Sequence, residues 1–135
     1  MSGEKDLGTL LRSMRPHLNE GEYVFCTLGP GIRIDPNEVV GCFREEEGMT
    51  AILRREIADR NGWPYNFIAA WITLTVHSAL DAVGLTAAFS SALGKEGISC
   101  NVIAAYHHDH IFVQADDKGR AMAVLEKLAS GGQAS

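Results

Sequence analysis

One stretch, residues 71–113, restricts the fold more than any other because its hydrophobic periodicity changes twice. Apolar and polar residues alternate over 71–77, which is the period of a β-strand. Apolar residues then recur at helical spacing within 82–96. Two further runs, 98–106 and 111–115, are typical of strands joined by a tight turn. The stretch therefore predicts strand, turn, helix, strand, turn and strand.

The rest of the chain predicts shorter elements separated by glycine and proline. Leucines at helical spacing predict an N-terminal helix that includes Leu18 on its apolar face and that Pro16 ends or kinks. The other predicted elements are strands over 22–28, 39–44 and 49–53 and helices over 54–61 and 117–129.

Length and charge limit the class of protein. A chain of 135 residues forms one domain, or two very small ones that share a core. Its formal charge of −5 argues against nucleic acid as a partner, since proteins that bind nucleic acid usually carry a basic surface. No apolar run approaches the roughly 20 residues of a membrane span, so a membrane is not an expected partner either.

The three cysteines, Cys26, Cys42 and Cys100, are odd in number and far apart. Each lies in a strand-like run, where a buried, reduced thiol is the expected state. The N-terminus shows no apolar segment typical of a secretory signal. These features predict a cytoplasmic location.

Two short runs resemble a known family. Asp-Ala-Val-Gly-Leu at 81–85 and Gly-Ile-Ser at 97–99 are similar to the pattern of the ACT domain, a small regulatory module that binds amino acids. With residues 71–74, 101–102 and 108–110, the match resembles small bacterial tandem ACT-type proteins of unassigned role. It is more distantly similar to the eukaryotic cytosolic arginine sensor.

The resemblance implies an α+β, ferredoxin-like ACT fold. Two ACT-type units, each derived from βαββαβ, would lie in tandem, with antiparallel sheets and helices on one face. We predict a degenerate N-terminal unit over 1–66, a C-terminal ACT unit over 67–130 and a disordered tail over 131–135. The C-terminal half supplies only βαββα, so one strand must be shared or lent, and 22–28 is the candidate.

The resemblance also implies a ligand site at the turn between the first strand and first helix of the C-terminal unit. Main-chain N–H groups at a helix start can bind a carboxylate without a basic side chain. Asp81 would bind an α-ammonium or merely cap the helix, and Gly84 would let the backbone approach a ligand or merely permit tight packing. The predicted ligand-binding residues are Ser78, Leu80, Asp81, Val83, Gly84, Leu85, Thr86, His108 and Asp109.

Asp109 lies in a histidine-rich corner, 107–110. The resemblance to the arginine sensor implies an acidic residue here that contacts a cationic ligand. The alternative, purely structural interpretation is a turn aspartate whose side chain bonds its own backbone. A metal site is disfavoured, because strand alternation would send neighbouring histidines to opposite faces. The histidines are instead expected to cover a sheet edge or an interface.

No catalytic motif occurs in the sequence, so an enzyme and a cofactor are not expected. The leading hypothesis is a non-catalytic regulatory protein that binds a small ligand, an amino acid with basic ones favoured, and signals to an unknown effector protein. The alternative is an ACT-type protein–protein interaction module without a ligand. Exposed sheet edges predict pairing of the two halves or a homodimer through sheet or helix faces, the former being favoured.

Overall fold

The computed structural model describes residues 6–76 and 82–131. The chain divides into two compact units. The flanking unit comprises Met1–Asn19 and Ala70–Ser135, and the central unit comprises Glu20–Ala69. The predicted tail over 131–135 lies outside the described residues, apart from Gly131.

Both units contain helices and strands. In chain order they are α1 Leu7–Ser13, β1 Arg15–Leu18, β2 Tyr23–Leu28, β3 Val39–Glu45, β4 Gly48–Arg54, α2 Arg55–Asn61, β5 Ile68–Thr75, α3 Leu85–Lys95, β6 Asn101–Ala104, β7 Asp109–Gln114 and α4 Lys118–Ala129. Short 3₁₀ turns cover Pro36–Glu38 and Ala115–Asp117. None of these described helices is long and apolar enough to cross a membrane.

The flanking unit has a sheet in the order β1–β5–β7–β6. The registers of β1 with β5 and of β6 with β7 are antiparallel. This is the strand order of a ferredoxin-like βαββαβ unit, in which β5, α3, β6, β7 and α4 follow one another and β1 supplies the fourth strand. The predicted α+β fold is thereby confirmed.

The strand that completes this unit is β1, so the prediction that residues 22–28 are lent was wrong. Helix α1 ends at Ser13, and the chain from Arg15 runs as an edge strand along β5. Pro16 is tolerated there, because an edge strand does not need every N–H as a donor. Leu18 packs against the core from this strand and not from the predicted helix.

The core of the flanking unit lies on one face of its sheet. Alternating residues Ile72 and Leu74 of β5 and Ile111 and Val113 of β7 are fully buried there, which confirms the predicted alternation. Helices supply the rest: the buried members of this cluster from α1, α3 and α4 are Leu10, Leu85, Phe89, Leu93, Ala121 and Leu125.

The strands near the histidine-rich corner differ from the predicted ranges. Strand β6 is shorter than 98–106, and β7 begins at Asp109 and not at 111. The turn is closed by a hydrogen bond from the Ala105 N–H to the His108 carbonyl oxygen, at 3.0 Å. Asp109 and His110 are therefore strand residues and not corner residues.

The central unit has a sheet in the order β3–β4–β2–β5, to which the first two residues of β5 contribute. Its buried core is formed by β2, β4 and α2 and comprises Val24, Cys26, Leu28, Ala51, Leu53, Ile57 and Ala58. The first helix of a complete ferredoxin-like unit is absent between β2 and β3. Residues 29–38 form a loop and the 3₁₀ turn there.

Candidate functional site: the strand–helix turn and the end of the β6–β7 hairpin

The predicted ligand turn is only partly described. Residues 77–81 lie outside the described residues. They include the predicted site residues Ser78, Leu80 and Asp81, and also His77. The described part begins at Ala82 and leads into α3 through Val83 and Gly84.

Gly84 is the N-cap of α3 and has φ 102° and ψ −21°, a left-handed conformation that favours glycine. Its carbonyl oxygen accepts the first helical hydrogen bond, from the Ala88 N–H at 2.9 Å. A Cβ at this position would lie 3.2 Å from Leu7 Cδ2 of α1. A bulky residue at Gly84 would therefore disturb the local fold as well as any ligand contact.

The residues beside Gly84 differ in which of their atoms a ligand could reach. Val83 is 83% exposed and Thr86 is exposed, so their side chains are accessible. Leu85 is 4% exposed and belongs to the core, so only its backbone could contact a ligand. The first N–H groups of α3 lack partners within the helix, as at any helix start.

Asp109, at the start of β7, is the unusual residue of this region. It is 8% exposed, and its carboxylate makes no hydrogen bond or ion pair with any residue that the structure describes. Burial raises the pKa of the Asp109 carboxyl, and the neighbouring positive charges of His110 and His108 only partly oppose this. The interpretation as a turn aspartate bonding its own backbone was wrong.

The two histidines that flank Asp109 have different surroundings. His108 Nδ1 is buried and, within the described chain, has no hydrogen-bond partner. His110 Nδ1 accepts a hydrogen bond from Trp71 Nε1 at 3.1 Å and lies 3.2 Å from Thr73 Oγ1. Because Nδ1 is an acceptor, neutral His110 carries its proton on Nε2.

The polar side chains around His110 also include Asn19, which follows β1, the strand that the sequence pattern did not predict. Asn19, directly after β1, donates from Nδ2 to Thr73 Oγ1 at 2.9 Å and to the Trp71 carbonyl oxygen at 3.2 Å. Strand alternation places Trp71 and Thr73 on the face opposite Ile72, and that signal was available from the sequence. The participation of Asn19 could not be predicted from the sequence, because it depends on the pairing of β1 with β5.

Metal binding finds no geometric basis in the described residues. Among residues 6–76 and 82–131, no three His, Cys, Asp or Glu side chains come together as a metal site would require. Asp109 and His110 point to opposite faces of β7, as the alternation of a strand dictates.

We expect acid to weaken folding through His110. Burial, with the charge of His108, lowers the pKa of His110 below its usual 6.5, so the unfolded chain binds the proton more readily. The contribution of neutral His110 to the free energy of unfolding is therefore present above pH 6.5. It is lost as the pH falls through the pKa that His110 has in the folded protein. Protonation of Nδ1 breaks the bond from Trp71, which costs about 1 kcal/mol.

Urea unfolding between pH 8 and pH 5, followed by tryptophan fluorescence, measures this effect. His110→Asn, whose side-chain oxygen can replace Nδ1 as an acceptor but does not titrate, should show a flatter pH profile than the wild type. Identical profiles for the two proteins would contradict the assignment.

Family models and solved structures agree with this architecture. An ACT domain model matches residues 2–70, and a second ACT domain model matches residues 67–127. The chain belongs to the ACT domain family. Two ACT-type domains therefore lie in tandem, as the sequence runs at 81–85 and 97–99 predicted. No curated protein matches the sequence.

Several solved structures share the fold of this tandem ACT protein. A Vibrio cholerae protein of unknown function is 46% identical, with a TM-score of 0.76 and coverage of 89% of this chain and 93% of that one. An Agrobacterium tumefaciens protein is 18% identical, with a TM-score of 0.62 and coverage of 86% and 89%. The regulatory subunit of aspartate kinase from Thermus thermophilus, in a ligand-free form, is 9% identical, with a TM-score of 0.57 and coverage of 84% and 95%.

Strand β7 lies beside β5 in the flanking sheet, and the contacts of His110 with Trp71 and Thr73 place the start of β7 beside the middle of β5. The described members of the predicted site form two groups. One is Val83 to Thr86 at the start of α3, and the other is His108 and Asp109 at the start of β7.

Proposed function

We propose that this tandem ACT protein is a non-catalytic regulatory protein that binds an amino acid at the β5–α3 turn, with basic amino acids favoured. ACT domains are regulatory modules, and both halves of the chain match them. The proposed ligand-binding residues are Ser78, Leu80, Asp81, Val83, Gly84, Leu85, Thr86, His108 and Asp109. We place the protein in the cytoplasm and assign its output to an effector protein.

The buried carboxylate of Asp109 is the observation that carries this proposal. Asp109 is 8% exposed as a residue, and its carboxylate has no donor among the described residues, so burial reduces its hydration without supplying a protein hydrogen bond in exchange. An ammonium or guanidinium group of a ligand would supply a charged hydrogen bond and offset that cost. A basic amino acid carries such a group at a distance from its own carboxylate.

The start of α3 is suited to bind the carboxylate of the proposed ligand. Helix α3 has eleven residues, and its first N–H groups and dipole favour a carboxylate. The left-handed Gly84 begins the helix without a side chain in the way. The proposed ligand would thus place its carboxylate at the helix start and its cationic group at Asp109.

A protein–protein interaction module without a ligand is the second candidate, and two observations favour it. Leu7 covers the side of Gly84 on which a Cβ would lie, so this part of the turn is already packed by the protein. Val83 and Tyr106 are 83% and 76% exposed, which are high values for large apolar or aromatic side chains. In this function these exposed side chains would contact a protein partner.

Thermal-shift measurements with each of the twenty amino acids would separate the two candidates. We expect at least one amino acid, arginine or lysine before the others, to raise the melting temperature in a concentration-dependent way, because a ligand bound only by the folded state stabilises it. Calorimetry should then give a stoichiometry of one bound amino acid per chain. The absence of any shift at millimolar concentrations would favour the interaction module.

A further inference from the structure

The central unit contains a cleft of about 400 Å³ that the proposed amino-acid site does not use. The residues that line it all carry apolar side chains or none: Leu28, Gly29, Ile32, Ile34, Pro36, Val39, Cys42, Met49 and Ala51. Ala51 is fully buried at its base, whereas Ile32 is 41% exposed and Cys42 is exposed at its opening.

The cleft has a structural cause. In the flanking unit, α3 connects β5 to β6 and buries Phe89 and Leu93 against the sheet. In the central unit the equivalent connection, residues 29–38, has only the 3₁₀ turn Pro36–Glu38. A loop of this kind does not fill the volume that a helix with large apolar side chains would occupy, so a cleft remains between the loop and the sheet.

Two acidic side chains near the cleft, Asp35 and Glu38, are already paired with protein groups. Asp35 accepts a hydrogen bond from the Asn37 N–H at 2.9 Å. Glu38 forms an ion pair with Arg60 at 2.9 Å. No charged side chain belongs to the lining, so a zwitterion or an anion would lose its hydration in the cleft without gaining a partner.

We propose that this cleft is a binding site for a small, uncharged apolar molecule. Its volume lies within the range of small-molecule sites, roughly 300–1,000 Å³, and well above the approximately 150 Å³ of an apolar cavity that holds benzene. A fused aromatic ring or a branched hydrocarbon group fits both the size and the lining. The site differs in ligand class from the amino-acid site and does not depend on it.

The neutral fluorophore N-phenyl-1-naphthylamine tests the proposal, because it emits strongly only in apolar surroundings. We expect saturable binding of one molecule per chain. Cys42→Phe places an aromatic ring in the opening of the cleft, and strands accommodate aromatic residues well. This variant should bind the probe at least tenfold more weakly than the wild type.

Thr27→Phe is the matched control, since Thr27 is uncharged and exposed and alternates with the lining residue Leu28 along β2, so that it points to the other face of the sheet. It should bind the probe within twofold of the wild type. An unchanged unfolding midpoint for Cys42→Phe would show that the fold is intact. Non-saturable binding, or equal losses in the two variants, would overturn the proposal.

The thiol of Cys42 gives a second readout in the unmodified protein. Cys42 is the exposed cysteine, whereas burial raises the pKa of the Cys26 thiol and raises that of Cys100 to about 11. Cys42 should therefore react first with a disulfide reagent such as dithionitrobenzoate, because the thiolate is the reactive form. Saturating probe should slow this fast phase at least fivefold, and Cys42→Ser should remove it.

An unchanged thiol rate at saturating probe would contradict the cleft as the binding site. A molecular mass that doubles with protein concentration while the probe is displaced would show that a second copy of the chain fills the cleft, and this too would overturn the proposal.

Discussion

We expect Asp109→Asn to stabilise the free protein and to weaken the binding of a cationic amino acid. Burial raises the folded pKa of Asp109 above its usual 3.8, so the stability that this group contributes is present below pH 3.8 and is lost as the pH rises through the folded value. The neutral amide avoids this loss, and near pH 7 the gain should be about 1 kcal/mol. Loss of the charged hydrogen bond should weaken the ligand by about 1.5–3 kcal/mol, roughly 10- to 150-fold.

Urea unfolding and calorimetry on the same preparations would measure both changes. Asp116→Asn is the matched control, because it makes the same charge change at an exposed residue of the 3₁₀ turn before α4. It should alter neither quantity appreciably. A destabilised Asp109→Asn that binds the ligand as well as the wild type does would mean that Asp109 has a structural role only.

Gly84→Ala should lower the free energy of unfolding by about 2–3 kcal/mol. A φ of 102° is strained for any residue with a Cβ, which accounts for about 1–2 kcal/mol. The new methyl group would also lie 3.2 Å from Leu7 Cδ2, and crowding of this kind adds about 1 kcal/mol or more. Thermal and urea unfolding would both detect the change.

Gly97→Ala separates the two causes. Gly97 also has a positive φ, 72°, but a Cβ there would meet no atom within 4 Å. It should cost about 1 kcal/mol, the part that backbone strain alone explains. Adding Leu7→Ala to Gly84→Ala should recover part of the crowding cost. If Gly84→Ala and Gly97→Ala cost the same, the contact with Leu7 contributes nothing.

The candidate site was only partly predictable, because a sequence indicates which residues are polar but not which of them lose water. Asp109 was singled out by resemblance, yet its burial depends on the start of β7 reaching two residues further than the apolar pattern at 111–115 suggested. The network of Asn19, Thr73, Trp71 and His110 was missed, since its members are separated by more than 50 positions at the widest bond.

The cleft in the central unit was not predictable for a related reason. Gly29-Pro30-Gly31 and Asp35-Pro36 indicated a loop, which the structure confirms between β2 and β3. That the loop stands in place of a helix, and leaves apolar side chains such as Met49 and Ile34 around an open volume, follows only from the strand order of the unit.

By itself the sequence determined the local elements and the family: the alternation over 71–77, the helical spacing over 82–96 and the run at 81–85 led to an antiparallel ACT fold in two units. These signals are local, since periodicity and turn residues act within a few positions. The tertiary structure alone decided that β1 completes the sheet of the flanking unit, that Gly84 packs on Leu7 and that Asp109 is buried without a side-chain partner among residues 6–76 and 82–131. Each of these depends on contacts between segments far apart in the chain, which the pattern of either segment alone does not specify.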